Sequence, residues 1–402
     1  MRILYLNPAQ AFGGSSKSLI ELFNKIKKQE HTGMVICPAG TASEQFQRAG
    51  LNALNTFGLP QFDGTRFGYY RGLRWFILIR EFFFLPFSFF HLLKARQLKP
   101  KFDLIHVNEA NLLFLGIFAK WVFKLPLLVH VRSVQLAGNY WRTHLFSYLL
   151  RKYADEVICI DETVRQSLRQ DLSCVVIRNG ISHVNIQPKS ELKDVKNLVR
   201  VGFLGVLLPL KGIYELIEAM RILKERGVRV ECLVAGENPR RMVGIKGYLL
   251  SRLGFAHDVR AEVDAMIEAY GLHDHVKMLG FVDDVQALYR KIDILCFPSH
   301  LNAAGRPVFE AAFHSVPSVV ALENPLPDAI VHGVTGLAVP RPDPEMIADA
   351  IQKLAEDAEY RCTLGRQARV WAEENFSIER SAEQMLEIYR RVLNKSTPKA
   401  KG

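Results

Sequence analysis

The chain has six cysteines but no Cys-x-x-Cys pair, and no Asp-x-Asp triplet in its 402 residues. The cysteines are scattered, mostly within apolar runs, which is typical of buried thiols in a reducing compartment rather than of disulfides or a zinc site. The first apolar run ends at Asn7-Pro8, too early for the core of a signal peptide. We therefore expect a cytoplasmic protein.

The composition also lacks the features of disordered or fibrous chains. Hydrophobic residues make up 49% and charged residues 23%, with only 27 glycines and 18 prolines, which is typical of globular proteins. A chain of this length is expected to form two domains, each with its own core. The first glycine turn does not have the G-x-G-x-x-G form, which argues against a dinucleotide-dependent oxidoreductase.

The net charge of +11 lies entirely in the first half. Residues 1–190 contain 24 Lys and Arg against 12 Asp and Glu, whereas residues 191–402 contain 28 against 29. Such asymmetry predicts an anionic partner for the first half, either nucleic acid or anionic lipid. We expect no nucleic-acid partner, because the excess charge accompanies aromatic runs rather than a recognisable nucleic-acid-binding module.

Segment 71–101 combines basic residues with an aromatic run that includes Phe82-Phe83-Phe84 and Phe89-Phe90. Charged residues and Pro86 make it unsuitable as a membrane-spanning helix, which needs about 20 apolar residues. Two interpretations remain. It is a helix that lies at the headgroup level of an anionic membrane, or it is a core helix packed on a sheet.

Short apolar runs alternate with helical patterns along the chain, which predicts parallel sheets covered on both faces. In the first half these runs are 3–6, 34–37, 103–107, 127–131, 156–160 and 175–177; in the second they are 199–204, 228–235, 276–279, 292–297 and 318–322. The polar stretch 182–197 separates the two sets. We therefore predict two Rossmann-like domains joined near residue 190.

Two glycine-containing turns between a strand and a helix are candidate anion sites. Gly13-Gly14 follows the first strand, and Lys211-Gly212 opens the helix at residue 213. Glycine allows close approach to the backbone, and a helix N-terminus favours negative charge. Each of these features is also compatible with a plain turn and a solvated lysine.

An ordered set of motifs makes the chain resemble the retaining glycosyltransferases of family 4, which have the GT-B fold. The set comprises Gly13-Gly14, His130, Ala154-Asp155-Glu156-Val157, Arg178-Asn179-Gly180, Lys211-Gly212, Ala235-Gly236, Gly280-Phe281-Val282, Pro298-Ser299, Glu310-Ala311 and Gly333-Val334-Thr335-Gly336. The resemblance implies an α/β protein with two Rossmann-like domains whose parallel sheets face each other across a cleft. Residues 1–190 would bind the acceptor and residues 191–378 the nucleotide sugar, with a helix at about 379–394 packing back on the first domain.

The resemblance also implies roles for individual residues. Glu310 matches the carboxylate that receives the ribose hydroxyls, Lys211 the cation on the diphosphate, and His130 the histidine near the transferred sugar. The donor-binding candidates are Gly13, Gly14, Gly205, Lys211, Gly305, Arg306 and Glu310. The catalytic candidates are His130, Lys211 and Asn302.

Two positions depart from the family pattern. Val206 stands where the family usually has an arginine, and Asn302 where it often has the first of two glutamates. Since an amide cannot act as an acid or as a carboxylate nucleophile, a mechanism that requires a carboxylate at Asn302 is not expected. Arg306 is the candidate that replaces the missing cation and forms a diphosphate clamp with Lys211; its alternative partner is a nearby carboxylate. We expect no metal and no cofactor.

The predicted activity is transfer of a sugar from a nucleoside diphosphate sugar to a glycan or glycolipid, in cell-surface polysaccharide synthesis. The enzyme would lie peripherally on the inner face of the cell membrane, through segment 71–101. The alternatives are a non-catalytic nucleotide-sugar-binding relative and a sugar-nucleotide epimerase.

Overall fold

A computed structural model describes residues 1–29, 31–65, 75–138, 140–182, 198–238 and 258–396. The chain forms two compact units, Met1–Ser182 with Phe376–Gly402, and His183–Asn375. The predicted boundary at residue 190 lies outside the described residues. The chain leaves the second unit after Asn375, slightly before the predicted position at residue 378.

The first unit contains a seven-stranded parallel sheet with the strand order β3-β2-β1-β4-β5-β6-β7. Its strands are β1 Arg2–Leu6, β2 Thr32–Pro38, β3 Asn52–Thr56, β4 Leu104–Val107, β5 Leu127–Val131, β6 Glu156–Cys159 and β7 Val175–Val176. Its helices are α1 Gly14–Lys27, α2 Thr41–Arg48, α3 Ile77–Gln97, α4 Leu113–Phe123, α5 Trp141–Tyr153 and α6 Glu162–Ser167.

Alternate residues of the strands enter two cores, one on each face of this sheet. Ile3 and Tyr5 pack with α1, whereas Leu4 and Leu6 pack with residues of α3 and α4. The strands therefore read as continuous apolar runs, because both of their faces are buried. β3 has the sequence Asn-Ala-Leu-Asn-Thr and lies at the edge of the sheet. It was not predicted, because the prediction relied on continuous apolar runs and this edge strand contains polar residues.

The last helix returns to the first unit. α13, Ile378–Ser396, places Ala382, Met385 and Tyr389 in the core that contains Leu19 and Phe23 of α1. Gly180 allows this approach, because a Cβ at that position would lie 2.6 Å from the Ile378 Cα.

The second unit contains a six-stranded parallel sheet with the strand order β10-β9-β8-β11-β12-β13. Its strands are β8 Val199–Leu204, β9 Val230–Ala235, β10 Val276–Gly280, β11 Ile294–Phe297, β12 Ser318–Ala321 and β13 Gly336–Val339. Its helices are α7 Ile213–Glu225, α8 Val259–Ala269, α9 Val285–Lys291, α10 Arg306–Phe313, α11 Pro344–Glu356 and α12 Ala358–Asn375. Two parallel-sheet, Rossmann-like domains are thus confirmed.

Each sheet has a topological switch point, where the connections from two adjacent central strands lead toward opposite edges of the sheet. This switch point lies between β1 and β4 in the first unit and between β8 and β11 in the second. Ligands of open parallel sheets bind beside such a point, at the carboxyl ends of the strands. A ligand-binding site is therefore expected at the loops that follow β1, β4, β8 and β11.

Candidate functional site

Two glycines allow the loops at the second switch point to come together. A Cβ at Gly212, whose φ is +76°, would lie 1.8 Å from the Pro298 carbonyl oxygen. A Cβ at Gly236 would lie 1.9 Å from the carbonyl oxygen of Gly205, whereas the space in front of Gly205 itself is open. The glycines at 212 and 236 are therefore structurally required, and Gly205 borders open space.

The loop after β11 is tied to the turn that precedes α7. The His300 backbone amide donates to the Leu210 carbonyl at 3.0 Å, and the Ser299 hydroxyl donates to the same oxygen at 3.2 Å. His300 Nε2 lies 2.8 Å from a carboxylate oxygen of Glu215. These bonds fix the position of Lys211, the next residue in the turn.

Lys211 and the N-terminus of α10 lie on the same aromatic ring. The Lys211 Nζ atom is 5.3 Å from the centroid of the Phe297 ring, and a Cβ at Gly305 would lie 2.4 Å from the Cζ of that ring. Burial lowers the pKa of the Lys211 ammonium, and Lys211 forms no ion pair with any residue that the structure describes. A desolvated cation beside a helix N-terminus is suited to an anionic ligand.

Glu310 is buried on α10 and its carboxylate is held from two sides. The Tyr289 hydroxyl donates to Oε2 at 2.9 Å, and Arg306 Nε donates to Oε1 at 2.7 Å. The side chains of Arg306 and Glu310 are 11% and 6% exposed. The structure therefore places Arg306 against Glu310, the carboxylate partner that was its alternative; its contact with a diphosphate remains a prediction.

Asn302 has a structural function in the loop between β11 and α10. Its φ is +48°, a left-handed conformation that Asn tolerates better than most residues. Its side-chain oxygen accepts a hydrogen bond from the Glu323 amide at 3.0 Å. Val206, the other position that departs from the family pattern, directly follows Gly205 and is 44% exposed.

In the first unit, the switch point lies between Asn7 and Asn108. The Asn108 amide donates to the Asn7 side-chain oxygen at 2.8 Å and so connects the ends of β4 and β1. The helix α1 begins beyond this bond, and no atom lies within 4 Å of a Cβ placed at Gly13 or Gly14. The predicted glycine pair therefore faces open space in front of a helix N-terminus.

His130 lies at the end of β5 and is 2% exposed. Its ring stacks on His106 with 5.5 Å between centroids, and Arg132 Nη2 donates to its Nδ1 at 3.3 Å. Burial, together with Arg132 and His106, lowers the pKa of His130 well below its usual value, so the ring is neutral at physiological pH. Its proton is then on Nε2, which has no hydrogen-bond partner within the described residues.

The sequence did not identify Asn108, Glu109 and Arg132 as site residues. Arg132 Nε donates to the Asn108 carbonyl at 2.9 Å, and Nη1 donates to the Asn179 side-chain oxygen at 2.6 Å. The signal that was available is position, since each of these polar residues directly follows, or nearly follows, a buried strand. We call Asn7, Asn108, Glu109, His130, Arg132 and Asn179 the polar-edge cluster.

Helix α3 buries polar groups and exposes aromatic ones. Glu81 accepts a hydrogen bond from the Gln61 amide at 2.6 Å, and Ser88 donates to the Gly58 carbonyl at 3.2 Å. The aromatic surface, as we call the exposed residues of this helix and its start, consists of Trp75, Phe76, Ile79, Phe82, Phe83, Phe87, Phe90 and Leu93. The core-helix interpretation is therefore wrong for these eight residues.

This aromatic surface adjoins further aromatic and basic residues. Phe89 stacks on Phe118 of α4 with 4.0 Å between ring centroids, and Arg142 of α5 lies 5.8 Å from the centroid of Trp75. Four basic side chains at the end of the segment are exposed: Lys94, Arg96, Lys99 and Lys101. Arg71 and Arg74, at its predicted start, lie outside the described residues.

The described residues contain neither a cluster of metal-ligating side chains nor a membrane-spanning helix. No three His, Cys, Asp or Glu side chains among them are grouped so that they would hold a metal ion. None of the helices in that part of the chain is long and apolar enough to cross a bilayer.

Comparison with known proteins identifies the family. The family described as Glycosyltransferase Family 4 matches residues 12–184, and the family described as Glycosyl transferases group 1 matches residues 185–371. The chain is a family 4, group 1 glycosyltransferase. It is thus an enzyme of a retaining family that uses a nucleotide sugar, and its two parallel-sheet domains are those of the GT-B fold.

Two curated relatives of this glycosyltransferase show how far the similarity extends. It is 24% identical over 307 residues to the capsular polysaccharide biosynthesis glycosyltransferase CapM of Staphylococcus aureus, covering 71% of this chain and 76% of CapM. It is 32% identical over 201 residues to the D-inositol 3-phosphate glycosyltransferase of Saccharomonospora viridis, covering 48% of this chain and 43% of that protein.

Solved structures share the fold over nearly the whole chain. Anabaena HepE, in complex with UDP and glucose, matches with a TM-score of 0.74 at 21% identity, covering 97% of this chain and 99% of HepE. Sucrose-phosphate synthase from Thermosynechococcus elongatus matches with a TM-score of 0.74 at 19% identity, covering 98% of this chain and 99% of the synthase.

Proposed function

We propose that this glycosyltransferase moves a sugar from a nucleoside diphosphate sugar to a glycan or lipid-linked acceptor, in the synthesis of a cell-surface polysaccharide. The observation that carries the proposal is the second switch point, where Lys211, the α10 N-terminus and Glu310 lie together. The similarity to CapM, named for capsular polysaccharide biosynthesis, and to HepE, crystallised with UDP-glucose, supports it.

In this proposal, the second unit binds the donor and stabilises its leaving group. The bond between the sugar C1 and the phosphate oxygen breaks, and negative charge grows on the released diphosphate. Lys211 and the backbone amides at the start of α10 supply positive charge at that position, and stabilisation of developing charge by preorganised groups is a large catalytic term. We expect no metal requirement, because these groups provide what Mg²⁺ provides in other transferases.

Retention follows when the acceptor oxygen bonds to C1 on the face that the diphosphate leaves. The proton of the attacking hydroxyl then passes to the departing phosphate oxygen, so that no protein carboxylate is consumed in the step. This route suits the chain, since Asn302 cannot supply a nucleophilic carboxylate. The neutral His130, with its proton on Nε2, acts as a hydrogen-bond donor to the transferred sugar.

Thermal unfolding with UDP, GDP, ADP and their sugars tests donor binding. A ligand that binds only the folded protein raises the midpoint by mass action. The donor identified in this way is then supplied with membrane extract, and transfer of its radiolabelled sugar into a glycan or lipid fraction is measured. No rise with any nucleotide contradicts the proposal, and a rise without transfer supports the non-catalytic relative that Val206 and Asn302 suggest.

Arg306 is proposed as a second diphosphate cation that compensates for Val206. Its bond to Glu310 offers the other explanation, that it orients the ribose-binding carboxylate. Because a lysine cannot reproduce the planar fork of arginine, Arg306→Lys should raise the donor KM about tenfold or more. Val206→Arg should partly restore donor binding to Arg306→Ala if the charge is what matters, and the absence of rescue favours orientation of Glu310.

The aromatic surface is proposed as the membrane-binding face of the first unit. Rings of this kind lie at the level of the headgroups, and the exposed lysines and arginines beside them attract anionic lipid. The polar contacts of Glu81 and Ser88 turn the rings outward, an arrangement that in water alone would expose apolar area without benefit. We propose that the enzyme works in this way at the cytoplasmic face of the membrane.

A further inference from the structure

The polar-edge cluster contains one carboxylate, that of Glu109, for which neither the motifs nor the family comparison gives a function. Glu109 lies two residues after the end of β4, beside the switch point at which β1 and β4 diverge. A parallel sheet presents ligand-binding groups at this position. The carboxylate is therefore placed where a ligand of the first unit would lie.

Three donors hold the Glu109 carboxylate, and they come from the loops that follow two different strands, β4 and β5. Oε1 accepts from the backbone amides of Ala110 at 3.1 Å and Arg132 at 3.3 Å, and Oε2 accepts from the Ser133 hydroxyl at 3.3 Å. The charged group facing it is Arg132, which also contacts His130. Glu109 is thus connected to the predicted catalytic histidine through a single residue.

The environment of Glu109 does not favour its charge. Burial raises the pKa of the carboxyl to about 7, although Arg132 and the three hydrogen bonds act in the opposite direction. A carboxylate that is poorly stabilised in the folded protein and adjoins a ligand-binding edge is typical of functional positions.

The alternative is that Glu109 only caps the short turn Ala110–Leu112, whose first amide it binds. A cap of this kind is formed best by Asn, Asp or Ser, and glutamate is not among the preferred residues. The longer side chain instead reaches the loop after β5, where Ser133 and the Arg132 amide lie. A capping function alone therefore does not account for glutamate at this position.

We propose that Glu109 is an acceptor-binding residue, whose carboxylate receives a hydrogen bond from a hydroxyl of the sugar acceptor beside His130. The inference rests on the proposed function and adds the residue that recognises the second substrate. Its chemistry suits a polyhydroxylated ligand, because an ionised carboxylate forms strong hydrogen bonds with hydroxyl donors.

The test compares Glu109→Gln and Glu109→Asn with the wild type, using membrane extract and octyl glucoside and octyl galactoside as acceptor probes. We expect both variants to raise the acceptor KM about tenfold to a hundredfold. The donor KM and the acceptor-independent hydrolysis of the donor should change little, because the inference assigns the Glu109 carboxylate to the acceptor and not to the donor. Glu44→Gln, an exposed position on α2, is the matched control.

The outcomes separate the inference from the proposed function. If Glu109→Asn restores the acceptor KM, the residue is a structural cap and the inference is overturned. An unchanged acceptor KM in a folded Glu109→Gln variant also overturns it, while transfer by the wild type leaves the proposed function intact. If the wild type transfers no sugar from any donor that it binds, the proposed function fails and the inference fails with it.

Discussion

The two units share one architecture but present different chemistry at their switch points. The second unit offers charge: Lys211 is desolvated over Phe297, and Glu310 is fixed by Tyr289 and Arg306. The first offers mainly neutral hydrogen-bonding groups, namely amides and an uncharged histidine, connected through Arg132. This difference agrees with the proposal that the second unit binds a charged nucleotide donor and the first a neutral sugar acceptor.

The outer surfaces of the units differ as well. In the first, eight exposed apolar residues are concentrated on α3 and its start, next to basic side chains. In the second, the exposed apolar residues are spread over several elements, and Phe281, 68% exposed, follows β10. The excess positive charge of residues 1–190 therefore accompanies an apolar surface, the combination that binding to anionic membranes requires.

The largest effect is expected at Lys211, because it is the charge on which the second site depends. Lys211→Ala should lower kcat about 100-fold to 1,000-fold, the range for loss of one preorganised electrostatic contact. Steady-state turnover with saturating donor measures it. Lys353→Ala is the matched control, since the Lys353 Nζ also lies over a ring, 5.1 Å from the Tyr360 centroid, but on an exposed face. Equal kcat in both variants would contradict the assignment.

Glu310→Gln should mainly weaken donor binding. An ionised acceptor for hydroxyls contributes about 1.5 to 3 kcal/mol, so the donor dissociation constant should rise about tenfold to 150-fold. Isothermal titration with the nucleotide that stabilises the protein measures this directly. Tyr289→Phe removes the hydroxyl that donates to Glu310 Oε2 and helps to orient the carboxylate, and it should give a smaller rise. An unchanged dissociation constant in Glu310→Gln would remove it from the donor site.

The candidate sites of the two units differ in how far the sequence predicts them. The motif from Pro298 to Glu310 predicts the second site, because its residues are close in the chain and their spacing is set by one strand, one loop and one helix. Glu109 and Arg132 meet only because β4 and β5 are neighbours in the sheet. A single polar residue after an apolar run carries no information about which strand will lie beside it.

The sequence also did not predict which face of α3 is buried. Its aromatic residues occur around the whole helix, so periodicity does not identify a buried face. The face is chosen by polar contacts, from Glu81 and Ser88 to backbone groups of residues 58–61. These contacts depend on the path of the loop that follows β3. That strand was not predicted from the sequence, because several of its residues are polar.

Removal of two aromatic rings tests the proposed difference between the outer surfaces of the two units. Phe83→Ser combined with Phe87→Ser should reduce partitioning onto liposomes of phosphatidylserine and phosphatidylcholine roughly tenfold or more, because both residues belong to the exposed aromatic surface. Sedimentation with the liposomes measures it, with nucleotide binding as evidence that the variant is folded. Phe281→Ser, in the second unit, is the control and should sediment like the wild type. Wild-type protein that stays in the supernatant would contradict the membrane proposal.

The last prediction concerns the pH dependence of stability at Glu109. Its folded-state pKa of about 7 is above the ordinary carboxyl value, so its contribution to stability is fully present below the ordinary pKa and is lost as the pH rises through 7. Glutamine does not titrate, and the free energy of unfolding of Glu109→Gln should therefore increase relative to the wild type between pH 4.5 and 8. The expected gain is about 1 to 3 kcal/mol, measured by urea denaturation, with Glu44→Gln as control. A difference that stays constant over this range would mean that Glu109 titrates normally; a gain that accompanies weaker acceptor binding would show that the first unit keeps an unfavourable charge for its ligand.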